Sequence, residues 1–184
     1  VNADEILRAI QTDPRYQRNL DWGEPRPGHP EGTVRAHIAE LEQNLEKLRP
    51  RLTEEECGKL RLLIHTHDTF KGEAAHGVAI THPRSHASLA RAFLAEFVTD
   101  QDILAMVQYH DEPYALWRQA RHRDGAVNET RLQALREAIG DWTLFLAFNV
   151  IDGCTEGKDG APLRWMFQTL GGSVSSRIME ADIL

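Results

Sequence analysis

With 184 residues, 41% of them hydrophobic, and a formal net charge of −7, the chain has the size and composition of one globular domain with its own core. The acidic balance excludes general nucleic-acid binding, because phosphate contacts need clustered Lys and Arg. No stretch approaches the roughly 20 apolar residues of a membrane span. Two cysteines, Cys57 and Cys154, make no disulfide framework, so a reducing cytoplasmic setting is the expectation.

The apolar spacing has helical period almost throughout, with no convincing strand alternation, and predicts an all-α fold in a single domain over 1–184. The opening VNADEILRAI reads as an amphipathic helix and lacks the basic region and long apolar run of a signal peptide. Residues 13–32 hold Pro14, Pro25, Pro27, Gly28, Pro30 and Gly32 and read as irregular. Thr33 can cap a helix to about Arg49, with Val34, Ile38, Leu41, Leu45 and Leu48 on one face and His37 beside that stripe; Pro50 ends it. Thr53 and Glu56 form a capping box for the next helix, whose buried face is Leu60, Leu63 and Ile64 and whose end carries His67-Asp68.

Gly72 and Gly77 mark a loop through His82, and Pro83 suits the first turn of a helix bearing His86, Leu89, Ala90, Phe93 and Phe97. Asp100 starts another, with Ile103, Leu104 and Val107 ahead of His110. A short helix is expected from Pro113 to His122, then helices over 128–139 and 141–154, the latter very apolar. Leu163 to Leu170 is a further helix, and the tail from Ser173 is expected to be helical.

Six potential metal ligands run through these elements in order: His37, His67, Asp68, His86, His110 and Asp152. Imidazoles supply borderline-soft nitrogen donors, and carboxylates add charge and can bridge two ions. His67 and Asp68 are adjacent, about 100° apart around a helix, so both reach one centre only from a helix end. Asp152 sits in an otherwise apolar helix, where an unpaired carboxylate would cost several kcal/mol. It demands a cation, either a metal or an Arg or Lys.

The stretches HPEGTVRAH (29–37), LLIHTHDTFK (62–71), SHASLARAFL (85–94), VQYHDEP (107–113) and FNVIDGC (148–154) together resemble the HD superfamily of metal-dependent phosphohydrolases. The first is similar to the HD domain attached to some bacterial CCA-adding tRNA nucleotidyltransferases, although the nucleotidyltransferase domain is absent here. The resemblance implies a helical HD domain in which Asp68 bridges two metals, or ligates the single ion of a one-metal site. His37 and Asp152 would complete the first ion's shell with His67, and His86 and His110 a second. Many relatives lack that second pair, so its presence favours two ions. The ligand types do not distinguish Mn, Fe, Ni, Co or Mg. His86 competes with His82, and the SHASLARAFL text decides for His86.

Asp68 and Lys71 are the expected catalytic residues. Lys71 follows His67 by one helical turn, where the family often has a Lys, and suits a phosphate oxygen; the competing reading is a solvated helix-end lysine. Arg84, Arg118, Arg121 and Lys158 are weaker phosphate-binding candidates or ordinary surface charges. Tyr109, Tyr114 and Trp117 either stack on a base or sugar or pack in the core. His29 and Glu31 either anchor the Pro-rich loop near the metal or face solvent. Asp111, where some relatives have a second His, either orients His110 or is a solvated helix-start acid. His65, His76 and His122 are expected to be non-ligands.

The implied reaction is metal-activated attack of water on a phosphomonoester or phosphodiester, a small phosphorylated substrate that includes nucleotides. No nucleophilic side chain in a base-paired context and no Gly-rich phosphate cradle accompanies it. Two other readings stay open. The six-ligand form also resembles HD-fold di-iron oxygenases such as myo-inositol oxygenase, and a metal- or nucleotide-binding module without turnover is the third.

Overall fold

The computed structural model describes residues 2–170 and 172–184; Val1, where the predicted first helix begins, lies outside them. The fold is all-α, and strand pairing among the described residues is confined to an isolated bridge between Arg26 and His29. Helix α1 spans Ala3–Thr12, capped by the Asn2 side chain, which accepts from the Asp4 amide. Helix α2, Pro14–Asn19, occupies part of the segment expected to be irregular. Pro14 there takes the first helical turn, where its missing N–H costs nothing, and Asp13 caps the helix.

Helix α3 (Val34–Leu48) is capped by Thr33, and α4 (Glu54–Thr66) by the Thr53–Glu56 capping box, as their sequences require. Helix α5 (His86–Leu94) starts later than Pro83 suggests. The Ser85 hydroxyl accepts from the Ser88 amide and so sets the first turn, leaving Pro83 in the preceding loop. Helix α6 (Gln101–Tyr109) is capped by Asp100, and α7 (Glu112–Arg121), α8 (Glu129–Ala138), α9 (Trp142–Gly153) and α10 (Ala161–Leu170) fall within a few residues of their expected bounds.

The tail departs from its expectation. Residues 172–184 are irregular apart from a 3-10 turn at Glu180–Asp182. Ser173, Ser175 and Ser176 favour local side-chain bonds over a helix; the Ser176 hydroxyl, for instance, donates to the Ile178 carbonyl. Tertiary contacts then hold the segment: Ile178 is buried, and Arg177 pairs with Glu56 at 2.6 Å.

Helix α4 sits at the centre, in contact with α1, α3, α5, α6 and α9. Helix α9 is apolar on nearly all sides, with Leu144, Phe145, Leu146, Ala147, Phe148, Val150 and Ile151 all buried, and a helix of that kind belongs inside a bundle. It packs on α3, α4 and α10. The result is that α3, α4 and α9 meet where each ends or bends toward the same face, with the α5–α6 pair alongside. Of the described residues, no helix is long and apolar enough to cross a membrane. Cys57 and Cys154 are both free thiols.

Candidate metal centre

Helix α4 stops at Thr66, and His67 is its C-cap. The chain then turns, so His67 and Asp68 leave the helix together and point one way, as adjacency on a helix end allows. In this buried last turn the Thr69 hydroxyl donates to the His65 carbonyl, which the helix end leaves open, and the Thr66 hydroxyl donates to the Leu62 carbonyl. His110 is likewise the C-cap of α6, and His86 opens α5. His37 lies in the first turn of α3 and Asp152 in the last turn of α9.

All six side chains converge. Asp68 Oδ2 lies 3.8 Å from His37 Nε2 and 3.5 Å from His67 Nε2. Asp152 Oδ1 lies 3.1 Å from His37 Nε2 and 3.9 Å from His67 Nε2. On the other side, Asp68 Oδ1 lies 3.7 Å from His86 Nε2 and 3.5 Å from His110 Nε2, which are 3.2 Å from each other. Two groups of donors result, His37 with His67 and Asp152, and Asp68 with His86 and His110, each tight enough to hold an ion.

The spacing fits. Two donors ~2.1 Å from one ion and ~90–110° apart lie ~3.0–3.4 Å from each other, and the contacts here run from 3.1 to 3.9 Å. Of the six buried side-chain atoms without a hydrogen-bond partner among the described residues, His67 Nε2 and Asp68 Oδ1 face this cluster. Such atoms are uncommon and call for a partner such as a cation.

The rings are oriented from behind. His67 Nδ1 faces the carbonyls of Leu63 at 3.1 Å and Ile64 at 3.2 Å, and His110 Nδ1 faces that of Val107 at 2.8 Å. In the neutral form of each ring, a proton on Nδ1 donates there and leaves the Nε2 lone pair toward the cluster. Glu31 Oε1 lies 2.8 Å from His37 Nδ1 and 3.0 Å from His29 Nδ1. His29 and Glu31 therefore anchor the Pro-rich loop against the centre rather than face solvent. Gly32 permits this path: its φ is 81°, and a Cβ there would come within 2.9 Å of Pro25. The Phe148 ring stacks edge-on against His67, with centroids 5.0 Å apart, and packs more distantly on His110.

Charges are arranged around the donors. Lys71 Nζ lies 2.5 Å from Asp68 Oδ2 and Lys158 Nζ 2.8 Å from Asp152 Oδ1. The cation that Asp152 demands is thus provided within the chain by Lys158, one of the weaker sequence candidates. Burial works against ionised carboxylates, yet Lys71 beside Asp68 and Lys158 beside Asp152, with the neighbouring histidines, hold both acids well below the usual range. Burial drives His67 down to about 3. Burial opposes the charged form of His110 too, but Asp111 and Asp68 outweigh it and raise that imidazole to about 9.

These opposite shifts give a stability dome. An unfolded His titrates near ~6.5. His67, depressed in the folded state, contributes stability that is present above that value and is lost as pH falls toward 3. His110, raised in the folded state, contributes stability that is present below it and is lost as pH rises through 9. EDTA-treated protein should therefore show its highest urea midpoint near pH 6.5, with lower midpoints at pH 4.5 and pH 9. A midpoint that keeps climbing from pH 6.5 to 9 would refute the His110 arm. Added divalent ion should erase that arm, because a ligating imidazole is neutral.

A cleft of about 420 Å³ opens on the cluster, within the usual size range of a small-molecule site. Asp68, Lys71, His110, Asp152 and Lys158 form its floor, and Tyr114, Trp117, Leu163 and Met166 form one wall. Tyr114 is 49% exposed, while Tyr109 packs against the core. Arg118 lines a neighbouring opening with His86 and Asp111 and lies over the Tyr114 ring. Arg84, Arg121 and Arg123 line neither opening. His65 binds Tyr16 and Glu42, away from the centre, and His76, His82 and His122 are exposed.

Two features were poorly legible from sequence. Lys71 stands on a 3-10 turn rather than a continued α4, so it reaches Asp68 through a turn and not along a helix face. Asp111 brings its Oδ2 within 3.2 Å of His86 Nε2 and 3.6 Å of His110 Nε2, closer to the donors than a solvated acid would be. A larger groove of about 900 Å³ beside α1 and α4 contains none of the donor groups. Compared with protein-family models, curated proteins and solved structures, the chain matches none.

Proposed function

We propose that the chain is a metal-dependent phosphohydrolase of the HD superfamily, acting on a phosphomonoester or phosphodiester, nucleotides included. One observation carries the reading: the two carboxylate oxygens of Asp68 face two separate sets of His and Asp donors. Divalent ions held by those sets would supply Lewis acidity toward a phosphate oxygen and lower the pKa of water toward neutrality. The chain's own residues do the remaining work. His37, His67 and Asp152 hold one set, and His86 and His110 the other, with the His67 and His110 rings aimed by backbone carbonyls before any substrate arrives. The ammonium groups of Lys71 and Lys158 line the cleft floor and favour an anion there. Lys71, within a hydrogen bond of Asp68, places fixed positive charge where negative charge grows on the phosphoryl oxygens. The Tyr114–Trp117 wall offers an apolar face for the organic part of the ester.

Metal analysis of the purified protein, followed by anaerobic phosphate release from a panel of phosphate esters with Mn, Fe, Ni, Co or Mg, tests this. Release that disappears with EDTA and returns with metal is expected. Bound iron with oxygen consumption and no phosphate release would replace the reading with the di-iron oxygenase, and bound metal with neither activity would leave a binding module. Lys71→Ala should lower turnover ~10²- to 10³-fold, as loss of one charge-stabilising donor does, with metal content kept. Parallel loss of metal and activity would make Lys71 a support of the site's structure, and no change at all a bystander.

A further inference from the structure

We propose that Asp111 is itself a metal ligand, the fourth donor of the set formed by Asp68, His86 and His110, so that the centre holds two ions in matched environments. This rests on the metal-centre reading above. The first set offers two imidazole nitrogens, one carboxylate of its own, Asp152, and a shared oxygen of Asp68. Without Asp111 the second set has two nitrogens and the shared oxygen only. With Asp111 Oδ2 at 3.2 Å from His86 Nε2 and 3.6 Å from His110 Nε2, the two sets become equal in donor type and charge.

A second, independent feature agrees. Asp111 occupies the N-cap position of α7, where an Asp side chain ordinarily accepts a backbone N–H of the first turn. Here it makes no capping bond. Forgoing a cap costs ~1 kcal/mol, and Pro113, in the first turn, lessens that loss because it has no N–H to offer. Its backbone is helical (φ −85°, ψ −5°) rather than extended as in a capping residue, and the carboxylate turns toward His86 and His110. The like charge of Asp68 opposes it, offset within the chain by Lys71 and His110 and, with a divalent ion bound, by that ion as well. Asp68, Asp111 and Asp152 would set three negative charges against the four positive charges of two divalent ions and the ammonium groups of Lys71 and Lys158, which leaves the cleft attractive to a phosphate.

The test uses the full chain, stripped with EDTA and titrated with Mn(II), read by calorimetry and by electron paramagnetic resonance. Wild type should take up two ions and show the spectrum of a coupled pair. Asp111→Ser removes the carboxylate and, because Asp111 makes no capping bond, sacrifices none, so helical circular dichroism and the urea midpoint should hold. This variant should take up one ion and show an isolated Mn(II) signal. Asp111→Glu, which keeps the charge, should restore the second ion. A coupled pair that persists in Asp111→Ser, with affinity weakened only ~10- to 100-fold, would mean that Asp111 merely positions His86 or His110, and the proposal falls. Uptake of a single ion by wild type overturns it as well. No uptake at all overturns the metal-centre reading beneath it, a failure visible before any variant is made.

Discussion

Asp68→Asn is expected to abolish phosphate release and the uptake of both ions while helical circular dichroism stays near wild type. Asp68 makes no side-chain bond to the helix it follows; its contacts are to Lys71 and to the four histidines. An asparagine keeps the volume and one carbonyl oxygen but removes the charge and the second equivalent oxygen, so it cannot join the two donor sets. Replacing a residue that only supports a ligand costs ~10–100-fold in affinity or activity, and the loss here should exceed ~10³-fold. Metal analysis and single-turnover kinetics on one preparation decide. Turnover within tenfold of wild type, in protein shown to carry two ions, would remove Asp68 from the mechanism and with it the main support for a phosphohydrolase.

Phe148→Ala is expected to have the largest effect on stability among single substitutions near the site, a loss of ~3–5 kcal/mol. Phe148 is 1% exposed on the most buried helix of the bundle. Its removal leaves a cavity between α4 and α9 that surrounding leucines cannot close without moving the helices. The ring also bears edge-on against His67, so its loss frees an imidazole whose lone pair must stay aimed. Metal affinity should fall with stability, by the ~10–100-fold typical of lost outer support. Urea denaturation of the EDTA-treated variant separates the two effects. A destabilisation below ~1 kcal/mol would show that the cavity collapses, and unchanged affinity would show that the backbone carbonyls of Leu63 and Ile64 alone hold the His67 ring.

Local chemistry explains what was readable in advance. Helix starts at Thr33, Thr53 and Asp100 follow from side-chain capping, which depends on three or four neighbouring residues. The interior place of α9 follows from apolar residues on all its faces. The placing of His67-Asp68 at a helix end follows from their adjacency, since 100° of rotation would otherwise part them. The six-residue order pointed to a donor cluster before any distance was known, because no other role suits so many histidines and acids beside apolar stripes.

What the sequence left open depended on the path of loops and on contacts beyond a residue's own helical turn. Whether Asp152 meets a lysine, and which one, was set by the fold of the loop after α9 that returns Lys158 to the last turn. Whether His29 and Glu31 face solvent was set by the path of the Pro-rich loop across the start of α3, 2.8 Å from His37. The tail stays irregular where its serines bond locally, and the burial of Ile178 and the pairing of Arg177 with Glu56 hold it against the bundle. Asp111 is the sharpest instance. By sequence it either orients His110 or is a solvated helix-start acid, and the approach of α5 to the end of α6 brings His86 within reach of its carboxylate. Local rules describe a residue's own turn of chain, and a carboxylate chooses between its own turn and a distant imidazole only when the fold offers both.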